Sequence, residues 1–417
     1  MPRTLTPLDC YAIINSIQQQ LTGEATLTAT DPSSFIAVGE NVLQSGTENT
    51  LNALSLQILK TLIAIRPYNA KYGLINRMDG GAYANRLRKI SFLSDPALPA
   101  GDWNTQLFTN LAENFDNGTN PAGTPPAAQS TASMWEQHPP VPIEFQFSGS
   151  SVWQDCITRY EYQVKQAFAS EEQFANFVAG FMTEKGNEIE SQKEAFARMT
   201  VLNFMAGLYD MSVAMDRAVN LTTLFNNTYN PSPAYTTQEL LTTHFDEFLK
   251  FFVATVQKYS DLFTHRTALY HWNPTRLDNK VILRHTPKDK QKLFLFNPMM
   301  IDARTQVMSG IFNPQYLNVK NYEGIDYWQA TDSPMSISIT PSILDSTGAI
   351  DTGTAVATDN VVGLLFDEDA LAVQYQIDNV ATSPMEARKH YINTWYSFAR
   401  NAINDYSENA VLFYMED

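Results

Sequence analysis

The stretch that most restricts what this chain can fold into is the run from Ser170 to Tyr209. Ser170-Glu171-Glu172-Gln173 fits a capping box, with acids in the first turn that complement the helix dipole. Phe174, Phe177, Val178, Phe181 and Met182 then recur at helical spacing, and Ile189, Phe196 and Met199 continue the stripe less densely. Gly180 and Gly186 are points where the helix could bend or admit another backbone. The pattern predicts one helix of about 40 residues, or one broken once, with a single apolar face.

Ahead of it lie two strand-like runs far apart in sequence, residues 85–93 (NRLRKISFL) and residues 153–164 (WQDCITRYEYQV). In the first, Arg86, Arg88 and Ile90 share a face opposite Leu87, Lys89 and Ser91. In the second, Trp153, Asp155, Ile157, Arg159 and Glu161 alternate with Gln154, Cys156, Thr158, Tyr160 and Tyr162. Neither run has a properly apolar face, and a two-stranded ribbon of this kind is not stable alone in water. It needs something to lie on, which is the first hint of assembly. Residues 94–142 between the runs are rich in Pro, Gly, Asn, Ala and Thr, without periodicity, and are expected to form a long loop.

The rest of the chain is mixed. The segment 31–46 (DPSSFIAVGENVLQSG) looks turn-rich, and a helix is expected after it, with Leu51, Leu54, Ile58, Leu62 and Ile65 on one side. Arg66-Pro67 ends that helix, because proline biases the preceding residue away from α. Residues 237–263 predict one amphipathic helix, and a short helix is expected near Met300. Strands are expected at 280–284, 292–296, 335–340 and 361–366, with a surface loop at 345–360. The end is crowded with aromatics, and its last run, Ala410-Val411-Leu412-Phe413-Tyr414-Met415, is apolar where chain ends are usually polar. Leu412 and Tyr414 share one strand face, which is expected to pack on Phe174, Phe177 and Phe181.

Composition narrows the function. Only 17 % of the 417 residues are charged, against roughly 25 % for an average soluble protein. Asn, Gln, Ser and Thr make up the difference, a surface that buries area against copies of itself at small desolvation cost. The net charge of −16 argues against a nucleic-acid grip, which needs a clustered basic face. Two cysteines, Cys10 and Cys156, make no disulfide framework. No apolar run is long enough to span a membrane, and the N-terminus lacks a signal peptide's apolar core.

Chemistry-bearing motifs are sparse. The six histidines, at 138, 244, 265, 271, 285 and 390, include no pair at the spacing of a helical zinc site. Phosphate-binding glycine loops and nucleophile-elbow patterns are missing as well. Asp367-Glu368-Asp369 is an acidic turn that a metal could use, though a solvated turn explains it more simply. No enzyme activity, metal or cofactor is expected, and a hydrolase with an unfamiliar site stands only as an alternative.

The C-terminal segment carries a family resemblance. A strand (VVGLLFDEDAL), a connector (TSPMEARKHYIN), an aromatic stretch (WYSFAR) and a last strand (ENAVLFYM) resemble the end of major capsid proteins of short-tailed, phi29-like bacteriophages. The order of the other elements is similar to the Hong Kong 97-type capsid fold. The resemblance implies an α+β chain: an N-terminal arm (1–65), an extended hairpin called the E-loop (66–166), the spine helix of a peripheral domain (167–210), an α/β axial domain (211–376) and a closing part of the peripheral domain (377–417).

It further implies a protein that self-assembles, as pentamers and hexamers, into an icosahedral shell around the double-stranded DNA of a tailed phage. The DNA would be held without sequence-specific contacts, no membrane would be involved, and a separate scaffolding protein and a portal protein would be partners. Assembly is expected in the bacterial host cytoplasm and the final place is the virion. A nanocompartment shell of the encapsulin kind is the alternative within the same fold. With an E-loop that crosses a neighbour, Arg86, Arg88, Lys89, Arg159 and Glu161 become expected intersubunit contacts, and Phe174, Phe177, Phe181, Leu412 and Tyr414 the expected peripheral core.

Overall fold

The computed structural model describes residues 7–22, 28–44, 72–79, 86–92, 142–148, 151–163, 171–212, 216–273, 282–306 and 321–417. The chain begins with two helices, α1 (Pro7–Thr22) and α2 (Pro32–Gln44). Cys10, Ile14 and Ile17 of α1 and Phe35, Val38 and Val42 of α2 are buried. The Asn15 amide bonds both backbone groups of Ala29, donating at 3.1 Å and accepting at 2.7 Å, which ties the first helix to the residues just ahead of the second. The turn-rich reading of 31–46 is thus corrected. Asp31 accepts from the Ser34 N–H at 2.7 Å and Pro32 opens the first turn, so the segment starts a helix. The helix expected over 47–65 lies outside the described residues.

The long helix, α3, is a single element from Glu171 to Asp210, 40 residues, about 60 Å at 1.5 Å per residue. The side chains of Phe174, Phe177 and Phe181 lie outside the described ones. Further along, the single-stripe expectation is corrected. Phe196, Thr200, Val201, Phe204, Met205, Ala206 and Leu208 are all buried, so this half is enclosed nearly all round, while Met199 is 48 % exposed.

Two sheets account for that enclosure. The first has the order β1-β13-β14-β4, built from β1 (Asn76–Asp79), β4 (Ser151–Tyr160), β13 (Leu371–Thr382) and β14 (Tyr391–Asn404), antiparallel except for the β1–β13 pair. Arg400 of β14 reaches back to α3, donating to Gln192 Oε1 at 2.8 Å and lying over Phe196.

The second sheet has the order β5-β15-β12-β6-β7. Its strands are β5 (Ala218–Asn220), β6 (Gln291–Phe296), β7 (Asn321–Ile325), β12 (Val361–Asp367) and β15 (Ala410–Tyr414). Every residue of β6 and β12 is buried, which explains why their apolar stretches, 293–296 and 361–366, run without polar alternation. Four short strands, β8 (Ile337–Ile339), β9 (Ser342–Leu344), β10 (Ile350–Thr352) and β11 (Val356–Thr358), pair as β8–β11 and β9–β10; β8 falls within the strand expected at 335–340, while β10 and β11 form where a surface loop was expected over 345–360.

Among the described residues four more helices complete the fold: α4 (Leu221–Tyr229), α5 (Thr237–Thr242), α6 (Phe245–Leu262) and α7 (Asn297–Gln306). The expected single helix over 237–263 is two. A capping box between Thr236 and Glu239 starts α5, and the chain restarts at His244, whose ring stacks on Tyr235 at 3.9 Å. No strand forms at 282–284, where only Arg284 bridges to Thr267.

The apolar last run is an interior strand. β15 lies parallel to β5 and antiparallel to β12, with Phe413 edge-on to Phe252 and Tyr259 of α6. On its other face Tyr414 meets Tyr209, in the last turn of α3. The strand therefore does pack against the long helix, but at the helix's C-terminal end. Its strand neighbours belong to the 211–376 span.

Candidate intersubunit surface

The expected pairing of residues 85–93 with 153–164 does not occur. Strand β2 (Arg86–Phe92) pairs antiparallel with β3 (Pro142–Ser148), and β4 pairs with β14 instead. β3 was hidden at the end of the Pro-rich stretch, yet PIEFQFS alternates Ile143, Phe145 and Phe147 with Glu144 and Gln146. That alternation was the signal available to find it.

The two-residue period gives the β2–β3 ribbon two distinct faces. Register sets Arg88 opposite Gln146, Ile90 opposite Glu144 and Phe92 opposite Pro142, and all six are exposed. Ile90 is 64 % exposed and Phe92 60 %, an unusual placement for two large apolar side chains side by side. Arg88 and Glu144 pair across the strands at 3.3 Å.

The opposite face carries Lys89, Ser91, Ile143 and Phe145 and turns toward the subunit's own body. Phe145 meets Trp272 edge-to-face at 6.2 Å. Lys89 Nζ donates to both the Asp405 and Glu408 carboxylates. Burial alone would pull the Lys89 ammonium down, but those two carboxylates outweigh it and hold its pKa above the ordinary lysine value. Arg284 shares the Glu408 carboxylate at 3.4 Å and donates from Nε to the Ser407 carbonyl at 3.1 Å.

Asp405 and Glu408 sit in the five-residue link, 405–409, that carries the chain from β14 to β15. All five residues are buried. Their backbone is tied on several sides: Asp405 N–H to the Ala370 carbonyl, Trp272 N–H to the Tyr406 carbonyl and Asp367 N–H to the Asn409 carbonyl. Asn409 donates to Thr286 Oγ1, which donates to Asp367 at 2.7 Å. His271 lies beside this chain, with Nδ1 3.1 Å from Asn409 Oδ1 and Nε2 2.9 Å from the Ile282 carbonyl, and burial pulls its pKa down to about 4.

The residues expected at an interface are thus divided by the fold. Arg88 lies on the exposed face. The Arg86 side chain lies outside the described ones. Lys89 points inward, one position out of phase with Arg88. Arg159 is corrected from contact residue to internal one: it is 3 % exposed, on the covered face of the first sheet, with Nη2 3.4 Å from the Tyr396 hydroxyl. Glu161 pairs with His390 of the same chain at 3.1 Å. Leu412 is fully buried and Tyr414 partly so, both in the interior strand. Sequence reasoning missed Ile90 and Phe92 as contact candidates, and their exposure is the only signal that marks them.

For catalysis, the described residues offer little. They contain no cluster of His, Cys, Asp or Glu able to hold a metal ion, and Asp367 and Glu368 are engaged by Thr286 and Lys290. No described helix is long and apolar enough to cross a membrane.

A family model matches residues 134–414, more than half of the chain and all of it from the second strand of the ribbon to the interior strand at the end. The molecule is therefore a shell-forming phage capsid subunit. It belongs to the family of Phi29-like phage major capsid proteins. Membership implies a structural, non-enzymatic role as a component of the virion.

Solved structures are similar at low identity. A chain in the capsid structure of Staphylococcus phage Andhra is 11 % identical, with 85 % of this chain and 86 % of that one covered and a TM-score of 0.47. A chain in the structure of the head fibre and inner core protein gp22 of bacteriophage P68 is 10 % identical, with coverages of 82 % and 83 % and a TM-score of 0.46. A chain in the capsid of cyanophage P-SCSP1u is 10 % identical, with coverages of 85 % and 91 % and a TM-score of 0.39. No curated protein sequence gives a significant match.

Proposed function

We propose that this capsid subunit forms an icosahedral shell of pentamers and hexamers, in the Hong Kong 97 manner, around the double-stranded DNA of a tailed phage, and that the outer face of the β2–β3 ribbon grips a neighbouring copy. The observation that carries the interface reading is the exposure of Ile90 and Phe92 beside the Arg88–Glu144 pair. Apolar anchors rimmed by charges are what a partner surface needs, and burying them is worth far more there than leaving them in water. Repeated around closed symmetry, contacts of this kind add up while each stays reversible.

In this reading residues 1–65 are the arm, 66–166 the E-loop, 167–210 the spine helix, 211–376 the axial domain and 377–417 the closing part of the peripheral domain. The last strand is shared: β15 hydrogen-bonds within the sheet of the axial span. A net charge of −16 suits a shell that encloses DNA without clinging to it. A separate scaffolding protein and a portal protein complete the partner set, and assembly takes place in the host cytoplasm.

The test is a charge-neutral double substitution, Ile90→Ser with Phe92→Ser, in the full-length chain. Particles should fail to form in assembly reactions followed by light scattering and negative-stain imaging, while the far-ultraviolet circular dichroism of the free subunit is unchanged. Normal shells from this variant would remove the ribbon from the interface.

A further inference from the structure

We propose that Lys89 is a latch that holds the β2–β3 ribbon onto its own subunit, and that closing it fixes the angle at which the outer face is presented. The latch rests on the interface reading above for its purpose, but its existence is a property of the single chain.

The reasoning starts from what a two-stranded ribbon lacks. Two strands bury too little to hold a position unaided. The described contacts between this ribbon and the body are few in kind: the half-buried Ile143 and Phe145, the edge-to-face meeting of Phe145 and Trp272, and Lys89. The apolar contacts are non-directional and tolerate sliding. Lys89 is different. One ammonium donates to two carboxylates at once, Asp405 and Glu408, both more than nine-tenths buried. Charge-assisted bonds to fixed acceptors set a position as well as an energy.

The acceptors are also where a latch is most informative. Asp405 and Glu408 lie in the link between the two sheets, and every residue of that link is buried. Asp405 is held by its own bonds to the Ser407 N–H at 2.9 Å and hydroxyl at 2.6 Å. The keeper is therefore rigid and the ribbon is the moving part. Removing the lysine takes the ion-pair partner from Asp405 and leaves Glu408 with Arg284, an unbalanced charge that favours the closed state while Lys89 is present.

The experiment compares Lys89→Met, Lys89→Arg and Glu408→Gln in the full-length free subunit. The readouts are the rate of trypsin cleavage after Arg88, far-ultraviolet circular dichroism and assembly yield. Lys89→Met should be cut about tenfold faster with an unchanged spectrum and should assemble poorly. Lys89→Arg, which can still bond both carboxylates, should restore most of the protection, and Glu408→Gln should fall between.

Cleavage of Lys89→Met at the parent rate would overturn the latch. If Lys89→Met loses its circular dichroism globally, the milder Glu408→Gln gives the decisive rate: faster cleavage than the parent supports the latch and parent-like cleavage overturns it. Faster cleavage with full assembly would overturn the positioning role. If the ribbon opens in Lys89→Met but Ile90→Ser with Phe92→Ser still builds shells, the interface reading fails and the latch stands.

Discussion

Tyr209 of α3 and Tyr414 of β15 meet edge-to-face, with ring centroids 5.1 Å apart and ring planes 69° to one another. The contact joins the end of the longest helix to the last strand of the chain. It follows that β15 is a structural member, bounded by α3 on one face and α6 on the other. A chain ended after Ser407 would strip β12 and β5 of their shared partner and expose the faces of both helices. The expected outcome is a protein with no cooperative thermal transition and no assembly. A truncated chain that melts cooperatively would refute this.

Phe413 gives a graded version of the same test. It is fully buried between Phe252 and Tyr259. Phe413→Ala leaves a cavity against two rings and should cost about 3–5 kcal/mol, read from chemical denaturation of the free subunit.

Gly207 makes a prediction whose sign is informative. Intrinsic helix propensity alone would have Gly207→Ala stabilise α3 by about 1 kcal/mol. The structure predicts the reverse, because a Cβ there would stand 2.2 Å from the Tyr406 hydroxyl oxygen and 2.6 Å from its ring. Tyr406 cannot swing aside: its ring stacks on Phe204 and its hydroxyl donates to the Ser342 carbonyl at 3.0 Å. A loss of about 1–3 kcal/mol is expected, measured by denaturant midpoint.

His271 sets a pH dependence. Burial, aided by the positive charges of Arg284 and Arg217, pulls its pKa to about 4, against roughly 6.5 unfolded. A depressed histidine binds its proton in the unfolded chain first. Its stabilisation is therefore complete above about pH 6.5 and is lost as pH falls toward 4, by about 3 kcal/mol in all. Burial pushes Glu408 and Asp367 upward, with the opposite pH sign, but they are common to parent and variant. The stability difference between the parent and His271→Gln should therefore shrink on acidification through this window. A difference constant from pH 7 to pH 4.5 would rule the assignment out.

What could be read in advance depended on how local the cause was. α3 announced its start through the 170–173 cap and its length through an unbroken run, and β6, β12 and β15 announced themselves as short continuous apolar segments. The turn-rich reading of 31–46 failed although Phe35, Val38 and Val42 kept helical spacing, because the small residues between them diluted the period. The ribbon's true partner was masked by its Pro-rich approach. Lys89 and Arg159 were misjudged for a different reason. Lys89 finds its carboxylates more than 300 positions away, and only the folded sheet shows that Arg159 faces inward. At the same time Arg88 and Lys89, adjacent in sequence, received opposite fates from the two-residue period alone.

The link 405–409 has a mechanical meaning. In a closed shell each subunit is pulled by its neighbours, and tension entering one sheet has to leave by the other. The covalent path through this link is only five residues long, yet its backbone is clamped to Ala370, Trp272 and Asp367, so those bonds share the load in parallel. Alongside it α3 runs as a stiff strut touching both sheets. Force applied at the rim of the subunit is thus borne by a braced joint, and the parts that yield first are the ribbon and the short outer hairpins.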